Sequence, residues 1–176
     1  SLADRVVDLV EEGFDLAIRI GDVGPDTLVA RKLGETRLVP CASPAYLKQH
    51  GAPATPEELK HHNCLTYEYA LRDEWVFVDA AGAERKVRVS GSLNSNNGDL
   101  LAEAAAQGLG VVCEPTFIVG PEIRAGRLVP ILQEFSAPRS PIYAVYASRK
   151  HLSARVRLFV DYLVERFGDA ADFTRA

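Results

Sequence analysis

Residues 92–99 read SLNSNNGD. They join a stretch of alternating strand-type residues to an alanine-rich stretch that is typical of a helix, so they predict a strand followed directly by a helix. Capping the first turn of a helix needs only one or two polar side chains. This corner carries more side-chain amides and hydroxyls than that, which makes it the first candidate for a binding site.

The alternation of strands and helices continues outward in both directions, which predicts an α/β fold. The predicted strands are 14–20, 28–33, 36–42, 74–78, 85–90, 111–113, 128–132 and 142–147. The predicted helices are 3–12, one after Ser43-Pro44, one after Thr55-Pro56, 98–107, 117–125, and a last one that Ser153 caps. Strands 28–33 and 36–42 are expected to meet at a Gly34-Glu35 turn, and Thr55 with Glu58 has the spacing of a capping box.

The composition is that of a folded, acidic protein. Of the 176 residues, 47% are hydrophobic and 25% are charged, and the formal net charge is -4. A packed core is therefore expected, whereas a cationic face for nucleic acid is not. No apolar run is long enough to cross a bilayer and no signal peptide is recognised, which favours a cytoplasmic protein, and the absence of Met favours a piece of a longer chain.

The sequence offers no convincing set of catalytic or metal-binding residues. Cys41, Cys64 and Cys113 are too widely spaced for a zinc site, so they are expected to be buried free thiols in a reducing compartment. His61 and His62 are expected at a helix end, where cations suit the helix dipole. No nucleophile elbow and no Walker loop is present, so neither an enzyme nor a cofactor or metal is predicted.

Four groups of motifs follow one another in an order that is known from one family. They are LVEEGFDLAIRIG at 9–21, CASPAYL at 41–47, AAAQGLGV at 104–111 with Pro115 beyond it, and LVP at 128–130 followed by IYAVY at 142–146 and HLS at 151–153. Together they resemble the effector-binding domain of LysR-type transcriptional regulators, without the DNA-binding domain and without the opening strand, helix and most of the second strand of the effector domain.

The resemblance implies a two-lobe fold similar to type 2 periplasmic binding proteins, with a hinge of two crossover strands. Residues 1–66 with 142–176 are expected to form the first lobe, and residues 67–141 the second. The family binds a small-molecule effector between its lobes and assembles as a homo-oligomer, a dimer or a tetramer in the parent protein. It binds DNA only through an N-terminal winged helix-turn-helix, and it has no membrane contact.

By this resemblance, the best candidates for effector contacts are Ser95, Asn96, Asn97 and Gly98. The first N–H groups of a helix have no internal partner and carry partial positive charge, so an anionic or carboxylate effector is expected. The alternative is that Ser95 or Asn97 only caps the helix and that the other side chains are solvated.

Further effector contacts are expected from three other places. Arg19, Ile20, Gly21 and Asp22 end a strand that is expected to point toward the same site, where Arg19 could pair either with a carboxylate effector or with Asp15. Ser43 at a helix start is expected to act mainly as a cap. Pro115, with Cys113, Glu114 and Thr116 beside it, is expected to line the second wall, where Glu114 would face away or favour an amine-bearing ligand.

Three other functions remain open from the sequence. A solute-binding protein of a transporter has the same fold, but the free cysteines and the missing export signal argue against it. An enzyme with two lobes would need a nucleophile or base at the corner. A chain with unpaired sheet edges could also serve mainly in oligomerisation.

Overall fold

A computed structural model gives the fold. It describes residues 7–9, 11–21, 23, 27–68, 74–137, 139–147, 153–167 and 172–173. Half of the predicted helix at 3–12, residues 3–6 and residue 10, therefore lies outside the described residues. The part that is described forms turns, in which the N–H of Glu12 donates to the carbonyl oxygen of Asp8 at 3.0 Å.

The described elements alternate between strand and helix, which confirms the predicted α/β class. The strands are β1 (Ala17–Ile20), β2 (Val29–Ala42), β3 (Cys64–Tyr67), β4 (Glu74–Val78), β5 (Glu84–Arg88), β6 (Asn94–Ser95), β7 (Val111–Pro115), β8 (Val129–Pro130), β9 (Arg139–Tyr146) and β10 (Asp172–Phe173). The helices are α1 (Pro44–His50), α2 (Gly98–Ala106), α3 (Thr116–Arg124) and α4 (Ala154–Phe167), with a 3-10 helix at Pro56–His61.

The chain divides into two compact units. In the unit that contains the described residues 37–137, the strands lie in the order β2, β7, β3, β6, and β8 also pairs with β2. Strands β3, β6 and β7 are parallel, whereas β2 is antiparallel to β7. A separate hairpin of β4 and β5 joins Glu74 to Arg88 and Val78 to Glu84 across its two strands.

Other elements cover both faces of this sheet. Neighbouring residues along a strand point to opposite faces, so both sets of side chains are buried. Val112 and Leu65 pack in a layer with Leu101 of α2 and Val119 of α3. Their neighbours along the strands pack in the layer on the other face, which also contains residues from α1, the 3-10 helix and the hairpin: Cys64, Val111, Tyr46, Leu59, Trp75, Phe77 and Val87. Continuous apolar runs such as VVC at 111–113 follow from this two-sided burial.

The other unit contains the described residues up to Thr36 and from Arg139 onward. Its strands lie in the order β1, β9, β2, and β10 pairs with β2 in parallel. Helix α4 packs Val160 and Leu163 against Ile142 and Ala144 of β9. Ile18 of β1 lies directly opposite Ala144, yet 52% of it is exposed.

The predicted turn at Gly34-Glu35 is wrong, since β2 is one continuous strand of 14 residues. Glu35 pairs with Asp172 of β10 in one unit, while Leu38 to Ala42 pair with β7 in the other. Hydrogen bonds to several neighbouring strands keep the backbone of β2 extended at Gly34, although the local sequence predicts a turn there. The predicted strand at 14–20 is also shorter, because regular pairing with β9 begins at Ala17.

The predicted capping box at Thr55 and Glu58 does not form. Thr55 makes no side-chain cap hydrogen bond, and the Glu58 carboxylate instead accepts the N–H of Ala54 at 2.8 Å. The segment is a 3-10 helix, whose tighter turn changes which N–H groups its side chains can reach.

Among the described residues, one unit takes a single central stretch of the chain and the other takes the two stretches that flank it, and their boundaries differ from those predicted for the lobes. Residues 37–66 belong with residues 74–137, because β2 and β3 both pair with β7. The lobe boundaries predicted at residues 66 and 142 stay a prediction about the family fold.

Candidate functional site

Three parallel strands of the unit 37–137 end at the same edge of the sheet. β3 ends at Tyr67, β6 at Ser95 and β7 at Pro115, and Tyr67 lies beside Ser95 in the register of β3 and β6. Helix α2 begins shortly after β6, and α3 begins directly after β7. Two helix N-termini therefore lie at the carboxyl edge of the strands, where α/β proteins commonly bind ligands.

Two of the four predicted corner residues cap the start of α2. The Asn97 side chain accepts the N–H of Leu100 at 2.9 Å, and its own N–H donates to Ser95 Oγ at 3.1 Å. These bonds satisfy backbone donors that a helix start otherwise leaves unpaired. For Ser95 and Asn97, the capping alternative describes what the side chains do.

Asn96 differs from its two neighbours. It is exposed, and its side chain forms no hydrogen bond with any residue that the structure describes. The N–H groups of Gly98 and Asp99 are the first two of α2, so they have no acceptor within the helix. Among the described residues these two N–H groups have no acceptor, and Asn96 and Asp99 are exposed whereas Gly98 is buried.

Gly98 is in close contact with the chain itself. A Cβ atom added at this position would lie 2.7 Å from Ile118 Cδ1 and 2.9 Å from Glu114 Oε2. Both distances are shorter than ordinary van der Waals contacts, so only glycine fits without a shift of these side chains. On this side, the space beside Gly98 is therefore occupied by the side chains of Glu114 and Ile118.

The end of β7 is buried. Glu114 and Thr116 are 4% and 1% exposed, and Pro115 precedes α3 without a side-chain cap bond. Burial, with a smaller contribution from the Glu114 charge, raises the pKa of the Cys41 thiol to about 12. Burial, again with a contribution from Glu114, raises the pKa of Cys113 well above its usual value.

One hydrogen-bonded pair near the corner, Asn94 with Thr66, was not predicted from the sequence. The Asn94 side chain donates to Thr66 Oγ1 at 2.9 Å, which ties β6 to β3 just before the corner. Thr66 is buried although it is polar. The isolated threonine in the apolar run CLTY was the available signal, but its partner is 28 residues away in sequence.

Ser43 lies at the other end of the strands. Its neighbour Ala42 pairs with Val111 at the start of β7, whereas Pro115 at the end of β7 pairs with Leu38. The Ser43 hydroxyl accepts the N–H of Tyr46 at 3.2 Å and caps α1, as predicted. The structure does not bring Ser43 together with Ser95 to Gly98.

The predicted contacts at Arg19, Ile20 and Gly21 belong to the other unit. The Arg19 guanidinium donates to the carbonyl oxygens of Val7 at 2.8 Å and Val23 at 3.0 Å. The structure describes no ion pair between Arg19 and Asp15. Ile20 is partly exposed, the N–H of Gly21 donates to the carbonyl oxygen of Pro141 at 2.9 Å, and Asp22 lies outside the described residues.

Comparison with known proteins identifies the family. The family model described as the LysR substrate binding domain matches residues 1–168. The chain belongs to the LysR substrate-binding domain family. The resemblance found in the motifs is thereby confirmed, and the α/β fold is the two-lobe, periplasmic-binding-protein-like fold of LysR regulatory domains.

Relatives of this LysR domain are named as regulators. The chain is 38% identical over 154 residues to an uncharacterized HTH-type transcriptional regulator of Haemophilus influenzae, which covers 87% of this chain and 53% of the relative. It is 36% identical over 169 residues to the HTH-type transcriptional regulator CrgA of Neisseria meningitidis, covering 95% and 56%. The chain thus spans about half the length of these relatives, and the family is one of regulators rather than enzymes, as predicted.

A solved structure agrees with this assignment. The regulatory domain of CrgA from Neisseria meningitidis is similar with a TM-score of 0.77 at 36% identity, and the match covers 90% of this chain and 78% of that one. These matches do not favour the transporter alternative.

Across the described parts of the chain, no group of three or more His, Cys, Asp or Glu side chains is placed to hold a metal ion. No helix in those parts is both long and apolar enough to span a bilayer.

Proposed function

We propose that this LysR domain is the small-molecule sensor of a cytoplasmic transcription regulator, and that its effector binds at the corner of β6 and α2. The observation that supports this site is the set of polar groups left open there. Ser95 and Asn97 complete the helix cap, whereas the Asn96 side chain and the N–H groups of Gly98 and Asp99 have no partner among the described residues, and of these three residues only Gly98 is buried. A ligand with matching acceptors and donors could bind all three.

The effector class expected from the sequence is an anion or a carboxylate. The open N–H groups of Gly98 and Asp99 favour that class, because helix N-termini attract negative charge. The buried Glu114 carboxylate next to Gly98 opposes it. We propose binding of a small polar molecule at this corner whether the attraction of anions by the helix N-terminus or their repulsion by Glu114 is larger.

The proposal for the whole regulator follows from its relatives. Because two of them are named HTH-type transcriptional regulators, we propose that the full protein binds DNA through an N-terminal winged helix-turn-helix and assembles as a homo-oligomer. Effector binding would act through a difference in affinity between two states of the regulator.

A ligand screen with matched variants tests the site. Thermal unfolding of the chain is measured with small carboxylates, aromatic acids, amino acids, amines and simple anions. A ligand at one hundred times its dissociation constant stabilises by about 2.7 kcal/mol. We expect Asn96→Ala to lose this stabilisation while Gln49→Ala, which removes an exposed amide on α1, keeps it.

Two outcomes would contradict the proposal. Equal stabilisation of both variants would move the site away from the corner. A ligand that binds at the corner but leaves the DNA affinity of the full regulator unchanged would remove the sensing role.

A further inference from the structure

Asn97 and Gly98 form a chemically reactive pair, and the proposed sensing role does not use that reactivity. They are the only Asn-Gly pair in the 176 residues, and Asn97 is exposed. In such a pair, the backbone nitrogen of the glycine can attack the side-chain carbonyl carbon of the asparagine and close a ring. Glycine favours this attack because it has no Cβ atom to obstruct the approach.

The cap of α2 prepares two groups for this reaction. Asn97 Oδ1 accepts the N–H of Leu100 at 2.9 Å, at the helix end that carries partial positive charge. Negative charge develops on this oxygen during the attack, so the hydrogen bond and the helix end both stabilise it, as donors do in an oxyanion hole. The N–H of Gly98 is the first of the helix and has no acceptor within it, so the nitrogen can react without the loss of a helical hydrogen bond.

The same cap keeps the two groups apart. Asn97 has φ -121° and ψ 107°, an extended conformation that turns the Gly98 nitrogen away from the Asn97 side chain. Ring closure therefore needs a rotation about the Cα–C bond of Asn97, and two contacts resist it. The N–H of Asn97 donates to Ser95 Oγ at 3.1 Å, and Gly98 is buried against Glu114 and Ile118. The ring closes only when the first turn of α2 opens, a local event that helix ends undergo more readily than the core.

We propose that Asn97-Gly98 is a modification site, at which Asn97 converts spontaneously to aspartate and isoaspartate at a rate set by opening of the α2 cap. The Gly98 nitrogen loses its proton to solvent and bonds to Asn97 Cγ, while the Cγ–Nδ2 bond breaks and Nδ2 leaves as ammonia. Water then opens the succinimide. Cleavage of the new bond between Gly98 N and Cγ gives aspartate, and cleavage of the original peptide bond gives isoaspartate, so no oxidant or reductant takes part.

The two products change the corner differently. Both replace the neutral amide by a carboxylate, which adds negative charge at the exposed cap. Aspartate still accepts the N–H of Leu100, since it caps helices as well as asparagine does. Isoaspartate adds a methylene group to the main chain and thereby loses that cap geometry. The conversion itself does not depend on the proposed function, whereas its effect on effector binding does.

The test follows each asparagine by peptide mass spectrometry while the chain is incubated at pH 8, with enzymatic methylation of isoaspartate as a second readout. The native folded chain is compared with the urea-unfolded chain and with folded Ser95→Ala, which removes the acceptor of the Asn97 N–H. Ser153→Ala is the matched control. It makes the same substitution at the start of α4, where Ser153 Oγ accepts the N–H of Val156.

We expect the folded native chain to convert Asn97 more slowly than the unfolded chain does, but faster than it converts Asn63, Asn94 or Asn96. Ser95→Ala should raise the folded rate about fivefold, the ratio expected for the loss of one cap hydrogen bond, and leave the unfolded rate unchanged. Ser153→Ala should keep the native rate.

Unmodified Asn97 in the folded chain, after a period in which the unfolded chain converts fully, would overturn the modification site. So would faster conversion of another asparagine in the folded chain. Equal folded rates in the native chain and Ser95→Ala would overturn control by the cap. If Ser95→Ala does not fold, equal rates in the folded and unfolded native chain would do the same. None of these readouts uses an effector or DNA, so failure of the effector screen and failure of this inference are separate results.

Discussion

At the scale of the residue, three consecutive polar side chains have different roles. Asn97 caps α2 through its side chain, and Ser95 accepts the N–H of Asn97, while Asn96 is exposed and unbonded among the described residues. All three fit a cap or a ligand contact equally well in the sequence. Only the direction of each side chain relative to the first helical turn separates the two roles.

This separation predicts unequal costs of substitution. Asn97→Ala should lower the free energy of unfolding by about 1 kcal/mol, the usual cost of removing a helix cap. Asn96→Ala should change it by less than about 0.5 kcal/mol, as expected for an exposed side chain without partners. Urea unfolding of the two variants and of the Gln49→Ala control measures both, and an equal loss in both asparagine variants would show that Asn96 has a structural partner.

At the scale of the element, Tyr46 connects α1 to the segment that leads into β3. Its hydroxyl accepts the N–H of Asn63 at 3.0 Å and lies 3.3 Å from His62 Nδ1, and its ring stacks on His50 with centroids 4.5 Å apart. Burial, together with the nearby His50, lowers the pKa of His62, although Glu58 opposes this in part. The sequence suggested only helix-end histidines and did not predict the Tyr46 contact.

The lowered pKa of His62 predicts a loss of stability on mild acidification. The unfolded chain binds the proton near the ordinary value of 6.5, before the folded chain does. The stability that neutral His62 contributes to the fold is therefore complete above pH 6.5, and it falls as the pH drops through 6.5 toward the lower folded pKa. The slope must stay below the roughly 1.4 kcal/mol per pH unit of one full proton.

Urea unfolding at a series of pH values between 7.5 and 5.5 checks this, with His62→Gln as the non-titrating comparison. The native chain should lose more stability than the variant over this window. Glu35 and Glu57 do not interfere, because their pKa values lie below the ordinary 4.5 and their contributions are lost only at lower pH. Parallel pH profiles for the two proteins would contradict the assignment.

At the scale of the whole molecule, burial controls the reactivity of the cysteines. All three are free thiols, as predicted, and Cys41 and Cys64 are buried as expected, whereas Cys113 is only partly buried. Burial raises the pKa of Cys41 and of Cys64 to about 12 and that of Cys113 well above 9.0. The thiolate is the reactive form, so the folded chain presents almost none of it at neutral pH.

We therefore expect iodoacetamide at pH 8 to modify the folded chain only as fast as it opens. Mass spectrometry should show unmodified protein at times when the urea-unfolded chain already carries three labels. Stabilising the fold with a bound ligand should slow the labelling further. Rapid modification of Cys113 in the folded chain would show that its partial exposure outweighs its raised pKa.

Much of the fold was accessible from local patterns. The hairpin of β4 and β5, the helix after Ser43-Pro44, the helix that begins at Gly98 and the α4 helix after Ser153 all lie where the sequence predicts them. Their signals are caps, turns and periodic apolar residues, each of which acts over a few neighbouring positions. The continuity of β2 through Gly34-Glu35 was not accessible, because it depends on pairing with distant strands.

The sequence by itself determined the α/β class, the family, and the polar corner as the place to search for an effector site. The tertiary structure decided which corner residues remain open, placed Ser43 at the far end of the strands, and put the Glu114 carboxylate beside Gly98. The physical reason is the distance along the chain over which each interaction acts. Caps and periodicity follow from neighbours along the chain, whereas the charge at a helix terminus depends on residues that folding brings together from different strands.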